Sequence, residues 1–256
     1  MGEVTKIEWC DHTFNPWIGC TKVAPECKNC YADELMAKRW KKVEWGDNGT
    51  RKLTSDANWK LPLKWNKAAE KEGVRRRVFC ASLADVFEDR PELVYWRQEL
   101  FSLIDNTPNL DWLLLTKRPE NIRKMWPVEF DRPRSPEVLK RRDNVWLGTS
   151  VGHPDSEWRI KELLKVRHLS SVLFLSMEPL LGSVDLSKWL PPQQQLFVCQ
   201  KCGEEFSSGE SDGHGRHPYC GGQGDPNGSV GASEIDWVIV GGESGPHARP
   251  CGTEWI

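Results

Sequence analysis

Nine cysteines lie in a chain of 256 residues. Three of them, Cys20, Cys27 and Cys30, form C-x6-C-x2-C within one short stretch. Thiolates are soft ligands. Three of them on one loop can hold three irons of a [4Fe–4S] cluster and leave the fourth iron open to an outside ligand. A structural zinc ion instead wants four closed ligands, and Cys10, Asp11 or His12 could complete such a set. Spacing alone leaves iron–sulfur and zinc both open.

A second group reads Cys199-x2-Cys202-x14-His217-x2-Cys220, with His214 as an alternative to His217. This is the ligand spacing of a zinc ribbon or knuckle. It falls in residues 191–233, which are rich in Gly, Gln, Ser and Pro and offer almost no core of their own. Bound metal would supply most of the folding energy of such a segment. The alternative is a disordered insertion with spectator cysteines. Cys10, Cys80 and Cys251 read as small buried residues.

Polar groups recur at a third kind of position, directly after apolar runs. They are Ser82 and Asp85, Lys117 and Arg118, Ser150, Glu178, and Gly241-Gly242-Glu243. Glycines allow close approach of backbone to a ligand. Glu243 could accept a hydrogen bond from an ammonium. Lys117 and Arg118 could bind a carboxylate or phosphate, or form a rim ion pair with Glu178 or Asp85.

The elements that must position these groups are five nearly continuous apolar runs: 78–81, 112–115, 145–148, 172–175 and 237–240. Such runs suit strands buried on both faces, and 13–18 is a weaker sixth. Helical patterns lie between them at 31–43, 63–72, 91–104, 119–125 and 155–166. Alternation of strand and helix predicts a parallel α/β sheet. Because every strand delivers a polar group past its C-terminal end, the expected architecture is a partial (β/α)6 TIM-like barrel and not an open doubly wound sheet. The expected division is 1–190 as partial barrel with the cysteine loop, 191–233 as a zinc-ribbon-like insertion, and 234–256 as the last strand with a C-terminus that stops short. No chemistry is assigned to 44–60.

Lys plus Arg number 35 and Asp plus Glu 37, giving a net charge of −2. A globally basic nucleic-acid protein is excluded, though a local basic groove is not. Arg75-Arg76-Arg77 and the basic stretch 132–142 could touch phosphates, but solvated surface is the plainer reading. Of fourteen tryptophans, Trp112, Trp146 and Trp237 are expected in the core, and Trp40, Trp65, Trp96 and Trp158 on helix faces toward the sheet. Trp17, Trp45 and Trp59 are candidates for base stacking. There is no apolar run of about 18 residues and no secretory leader, so no membrane association is expected and the predicted location is the cytoplasm.

The residues Asn15-Pro16-Trp17-Ile18-Gly19-Cys20 and Cys27-Lys28-Asn29-Cys30-Tyr31-Ala32 resemble the cluster loop of radical S-adenosylmethionine (SAM) enzymes, closest to the spore-photoproduct-lyase-like branch. The first gap is six residues where that branch has three, and Asn29 stands where an aromatic is usual. Across segments 5–31, 78–87, 113–120, 144–151, 174–181 and 236–250 the chain resembles the phage protein family named after gene products 37 and 68, also described as three-cysteine-motif proteins. The resemblance implies a radical-SAM-type partial barrel, a phage or prophage context, and a methyltransferase-like partner protein. It also implies that the chain is C-terminally short, lacking a helix and a further strand. Radical SAM enzymes carry a similar Gly-Gly-Glu, usually after the second strand; here it follows the last, and Ser82 and Asp85 occupy the second-strand position.

The expected function is therefore that of a radical SAM-like iron–sulfur protein. Cys20, Cys27 and Cys30 would hold [4Fe–4S], and Ser82, Asp85, Lys117, Ser150, Glu178, Gly241, Gly242 and Glu243 would face SAM. Zinc would sit at Cys199, Cys202, His217 and Cys220. A 5′-deoxyadenosyl radical would act on a nucleic acid or nucleotide, with an external electron donor. The alternative is a non-catalytic metal-binding module that docks nucleic acid or a partner protein.

Overall fold

The structure, a computed structural model, describes residues 5, 7–129, 138–190, 196–199, 205–207, 235–243 and 248–252. Its twelve strands, among the described residues, are β1 (His12–Phe14), β2 (Trp17–Ile18), β3 (Lys52–Leu53), β4 (Arg76–Cys80), β5 (Leu110–Thr116), β6 (Val128–Glu129), β7 (Val138–Leu139), β8 (Arg142–Ser150), β9 (Ser170–Met177), β10 (Leu196–Cys199), β11 (Glu205–Ser207) and β12 (Trp237–Val240). The helices are α1 (Tyr31–Asp33), α2 (Asp56–Trp59), α3 (Leu61–Glu72), α4 (Leu93–Asp105), α5 (Ile122–Met125) and α6 (Trp158–Leu164).

One sheet runs in the order β1-β4-β5-β8-β9-β12-β10-β11. From β1 to β12 every neighbouring pair is parallel. Each successive long strand is added on the same side, so the order has no reversal and hence no switch point. The six strands curl into a half-barrel. The expected sixth strand at 13–18 divides in two. His12–Phe14 joins the sheet beside β4, while Trp17–Ile18 leaves it to pair antiparallel with Lys52–Leu53. Pro16 lacks the N–H that a continuous ladder needs.

Alternation along the strands splits the apolar residues between two faces. Val78, Cys80, Trp112, Leu114, Val145, Leu147, Leu173 and Leu175 pack outward against Trp65 and Ala69 of α3, Leu100 and Ile104 of α4, and Ile160 and Leu163 of α6. Phe79, Leu113, Phe174 and Ile239 point inward and are covered by Trp9 and Cys10. The N-terminal segment thus fills the inside of the half-barrel with an aromatic cluster, Trp9 lying 4.6 Å from Phe79 and 6.2 Å from Trp237 between ring centroids.

The helices follow the expected patterns with local changes. Helix α3 stops where Gly73 takes a left-handed conformation (φ 68°), as a C-terminal glycine allows. After α1 the helix continues as a π-helical turn over Glu34–Arg39. Trp40 and Trp158, expected against the sheet, are about half exposed; both stand on the outer side of short helical segments that cannot bury two faces. Trp17 is fully buried and Trp112 likewise, so Trp17 is a core residue with no face open for base stacking.

Within the expected insertion, β10 pairs parallel with β12 (Cys199 opposite Val240) and β11 pairs back on β10. Part of that segment is therefore the edge of the main sheet. Cys202, His217, Cys220 and His214 lie outside the described residues. No helix among the described residues is long and apolar enough to cross a membrane.

Candidate functional site

A cavity of about 900 Å³ opens at the C-terminal ends of the parallel strands. Cys20, Cys27 and Cys30 all line it, together with Ser82, Asp85, Lys117, Ser150, Glu178, Gly241, Gly242 and Glu243. Every residue expected at the strand ends is thus gathered in one place. Trp9, Phe79 and Leu115 form the apolar depth of the same cavity, and Trp45 stands in its wall.

The cysteine loop is built by backbone geometry and by distant braces. Gly19 has φ +113°, and a Cβ there would sit 2.5 Å from the Thr50 carbonyl oxygen; only glycine turns the chain from β2 into Cys20. Behind the loop, Ile18, Ala32, Met36, Val43 and Leu83 make a small apolar cluster. Asn15 is buried. Its Oδ1 accepts from the Leu83 amide at 2.7 Å and its Nδ2 donates to Ser82 Oγ at 3.0 Å. The Tyr31 hydroxyl donates to the Ser82 carbonyl at 2.5 Å, so Ser82 is held from both sides.

Residues 44–60, to which the sequence assigned no chemistry, carry one of the braces. Arg51 reaches Glu88 through Nε and Nη2, both at 2.7 Å, and its Nη2 also donates to Thr21 Oγ1 at 2.9 Å. Both side chains are almost fully buried. On the opposite side, Glu26 of the loop accepts from the Gly152 amide at 3.1 Å and pairs with Arg159 of α6 at 3.4 Å.

Asp85 is a hub. Its two oxygens accept from Thr116 Oγ1 (2.7 Å), Arg118 Nη1 (2.9 Å) and the amides of Phe87 (3.0 Å) and Lys117 (3.1 Å). The rim ion pair weighed for Arg118 is therefore formed, with Asp85. Lys117 differs from its neighbour. Its ammonium donates to Ser150 Oγ at 3.1 Å, and among the described residues it forms no ion pair. Its cation lines the cavity.

Glu178 faces it. Burial pushes this carboxyl up to about 7, against the pull of the Lys117 charge. Glu243 is the opposite case. Its carboxylate accepts from Arg249 Nη2 (2.7 Å), Nε (3.0 Å) and backbone amide (2.7 Å), and from Asn29 Nδ2 (3.1 Å). Arg249 holds it down to about 2. Arg249 also donates to the Pro25 carbonyl at 3.1 Å. Glu243 thus clasps the segment after β12 onto the cysteine loop, and its acceptor capacity is committed to the protein. Arg51, Glu88, Glu26 and Arg249 have no local sequence signal. Ser176, which also lines the cavity, follows the same strand-end rule as the others.

The three cysteines are free thiols. Among the described residues, no three His, Cys, Asp or Glu side chains converge as on a single metal ion. One zinc ion draws each sulfur to about 2.3 Å, so its ligands must meet at a point. Thiolates of an iron–sulfur cluster sit on separate irons and stand further apart. The fourth-ligand candidates for zinc point elsewhere: Cys10 packs in the inner aromatic cluster, Asp11 accepts from the Arg77 amide at 2.7 Å, and His12 stacks on Trp65 at 4.3 Å.

The basic stretches are placed away from this rim or paired. Arg75 and Arg76 lie at the start of β4, bound to Asp111, Asp11 and Glu72. Arg142 pairs with Asp105, and 130–137 lie outside the described residues.

No curated protein and no solved structure is matched by this sequence. One family model matches residues 4–256, almost the whole chain, under the description "Protein of unknown function (DUF5131)". By that match the chain belongs to the DUF5131 family.

Proposed function

We propose that the chain is a radical SAM-like iron–sulfur protein. In this reading Cys20, Cys27 and Cys30 would hold three irons of a [4Fe–4S] cluster, SAM would bind in the same cavity, and the substrate would be a nucleic acid or nucleotide. One observation carries the reading: three free thiols share a single cavity with the polar ends of five parallel strands. Bound there, the cofactors supply a 5′-deoxyadenosyl radical, given one electron from an external donor.

The chain's own residues do the rest. Lys117, backed by Ser150, receives an anionic group, a carboxylate or a phosphate. Gly241 and Gly242 present bare backbone to a ligand. Glu178 holds a proton near neutrality and can donate it to a ligand hydroxyl or carboxylate. Trp9, Phe79 and Leu115 keep water out of the depth of the cavity, as a reactive radical requires. Glu243 is left out of ligand binding, since Arg249 and Asn29 occupy it.

Anaerobic reconstitution with iron and sulfide tests the proposal. The expected product is brown, holds about four irons per chain, and forms 5′-deoxyadenosine from SAM under reduction. A colourless protein that takes up zinc alone overturns it and favours a non-catalytic metal-binding module.

A further inference from the structure

Arg118 stands behind the cysteine loop with its guanidinium against Cys20. Its Nη1 lies 3.7 Å from Cys20 Sγ and 2.9 Å from Asp85 Oδ2, and its Nη2 donates to the Thr21 carbonyl at 2.8 Å. The side chain is only 9% exposed. Three acceptors fix the planar fork in one orientation, which a flexible ammonium could not match. The carboxylates around it are Asp85, and Glu88 at 3.5 Å from Nη2. Glu88 is itself neutralised by Arg51. The two cations and two carboxylates balance, and the Arg118 guanidinium is the member that donates to the sulfur.

We propose that Arg118 is a positioning residue that sets the reduction potential of an iron–sulfur cluster bound through Cys20, with Asp85 as the opposing charge. The inference rests on the reading of the three cysteines as cluster ligands. Reduction adds one negative charge to a cluster. A guanidinium donating to a ligand sulfur stabilises that charge and raises the potential. A carboxylate held on the same guanidinium partly cancels it. Burial keeps both effects from being screened by solvent. The pair gives the fold two handles of opposite sign on one quantity, a property that a merely structural ion pair lacks.

The test compares wild type, R118K and D85N, each reconstituted anaerobically with iron and sulfide and titrated potentiometrically with EPR detection of the reduced cluster. Equal iron content is the control. R118K keeps a cation for Asp85 but loses the fork, so the potential should fall. D85N leaves the guanidinium uncompensated, so the potential should rise. A shift of about tenfold in the reduction equilibrium, 59 mV for one electron, is expected in each direction. Should R118K not fold, Arg118→Gln, which removes the charge and the fork but keeps a side-chain N–H donor, should show the same fall. Loaded variants with the wild-type potential, or both shifted the same way, overturn the role of Arg118 while the cluster reading stands. A wild type that takes up no cluster overturns that reading and this inference together.

Discussion

The backbone of Gly241 runs so close to Glu178 that a Cβ on residue 241 would lie 2.2 Å from the carboxylate Oε1, well inside van der Waals contact. The last strand of the half-barrel and the loop after β9 therefore meet at a point where a side chain at residue 241 would have to displace the Glu178 carboxylate. The contact fixes the Glu178 carboxyl in the cavity wall beside Gly241 and Lys117.

Gly241→Ala should therefore destabilise the protein by about 2 kcal/mol, the usual cost of forcing atoms into a packed site. Adding Glu178→Ala removes the atoms that the new methyl meets. The double variant should recover at least about 1 kcal/mol relative to additivity. Urea unfolding of the four proteins measures this coupling. Strict additivity would mean that residue 241 does not press on Glu178.

Glu178 also gives a pH signature. Its carboxyl is raised from 4.5 to about 7 in the fold. Below pH 4.5 the group is protonated in both folded and unfolded chains and costs nothing. As pH rises toward 7 the unfolded chain ionises first, and stability is lost. The loss should reach about 2 kcal/mol, allowing for partial exposure of the side chain. Glu178→Gln should abolish that part of the decline. Denaturant midpoints at pH 5 and pH 8 for the two proteins provide the check.

Glu243 titrates the other way. Arg249 depresses its carboxyl from 4.5 to about 2, so the clasp stabilises above pH 4.5 and is lost as pH falls toward 2. Arg249→Met should cost about 2 kcal/mol at pH 7, as expected for charged hydrogen bonds lost from a buried acceptor, and distinctly less at pH 3. The same variant should release the segment around residues 248–252 from the cysteine loop, which faster amide exchange at Asn29 and its neighbours would report. A constant difference between pH 7 and pH 3 would count against the clasp.

Cys27 is buried in the cavity wall, and its replacement separates the two groups of cysteines. Cys27→Ala should drop iron from about four per chain to below one after reconstitution. If zinc is taken up at Cys199 and Cys202, its content by metal analysis should be unchanged in this variant. The small side chain makes a stability loss of about 1 kcal/mol sufficient. Full iron loading in this variant would remove Cys27 from the ligand set.

Much of the frame was legible in the sequence, because its signals are local. Apolar runs at 112–115 and 172–175 suit strands buried on two faces, and the structure places them in β5 and β9 with cores on either side. Polar residues just past such strands must emerge at one rim of a parallel sheet, and Ser82, Lys117, Ser150, Glu178 and Gly241 do so. The strand at 13–18 was misjudged in extent because Pro16 ends the ladder, and Trp40 and Trp158 because helical periodicity does not say how deep a short helix sits.

What the tertiary structure alone decided is which of those rim groups remain open to a ligand. Asp85, Glu243 and Lys117 look alike in the sequence as charged residues after strands. In the fold, Asp85 is spent on Arg118, and Glu243 on Arg249 and on Asn29, 214 residues away. Among the described residues Lys117 forms no ion pair; its ammonium donates to the Ser150 hydroxyl and its charge acts on Glu178. Charge is a property of the residue, but its availability depends on partners brought from distant parts of the chain. The sequence by itself determined a parallel half-barrel with three cysteines at its C-terminal rim. Long-range pairing determined that Glu243, which lines the same cavity as Lys117 and Glu178, is committed to Arg249 and Asn29.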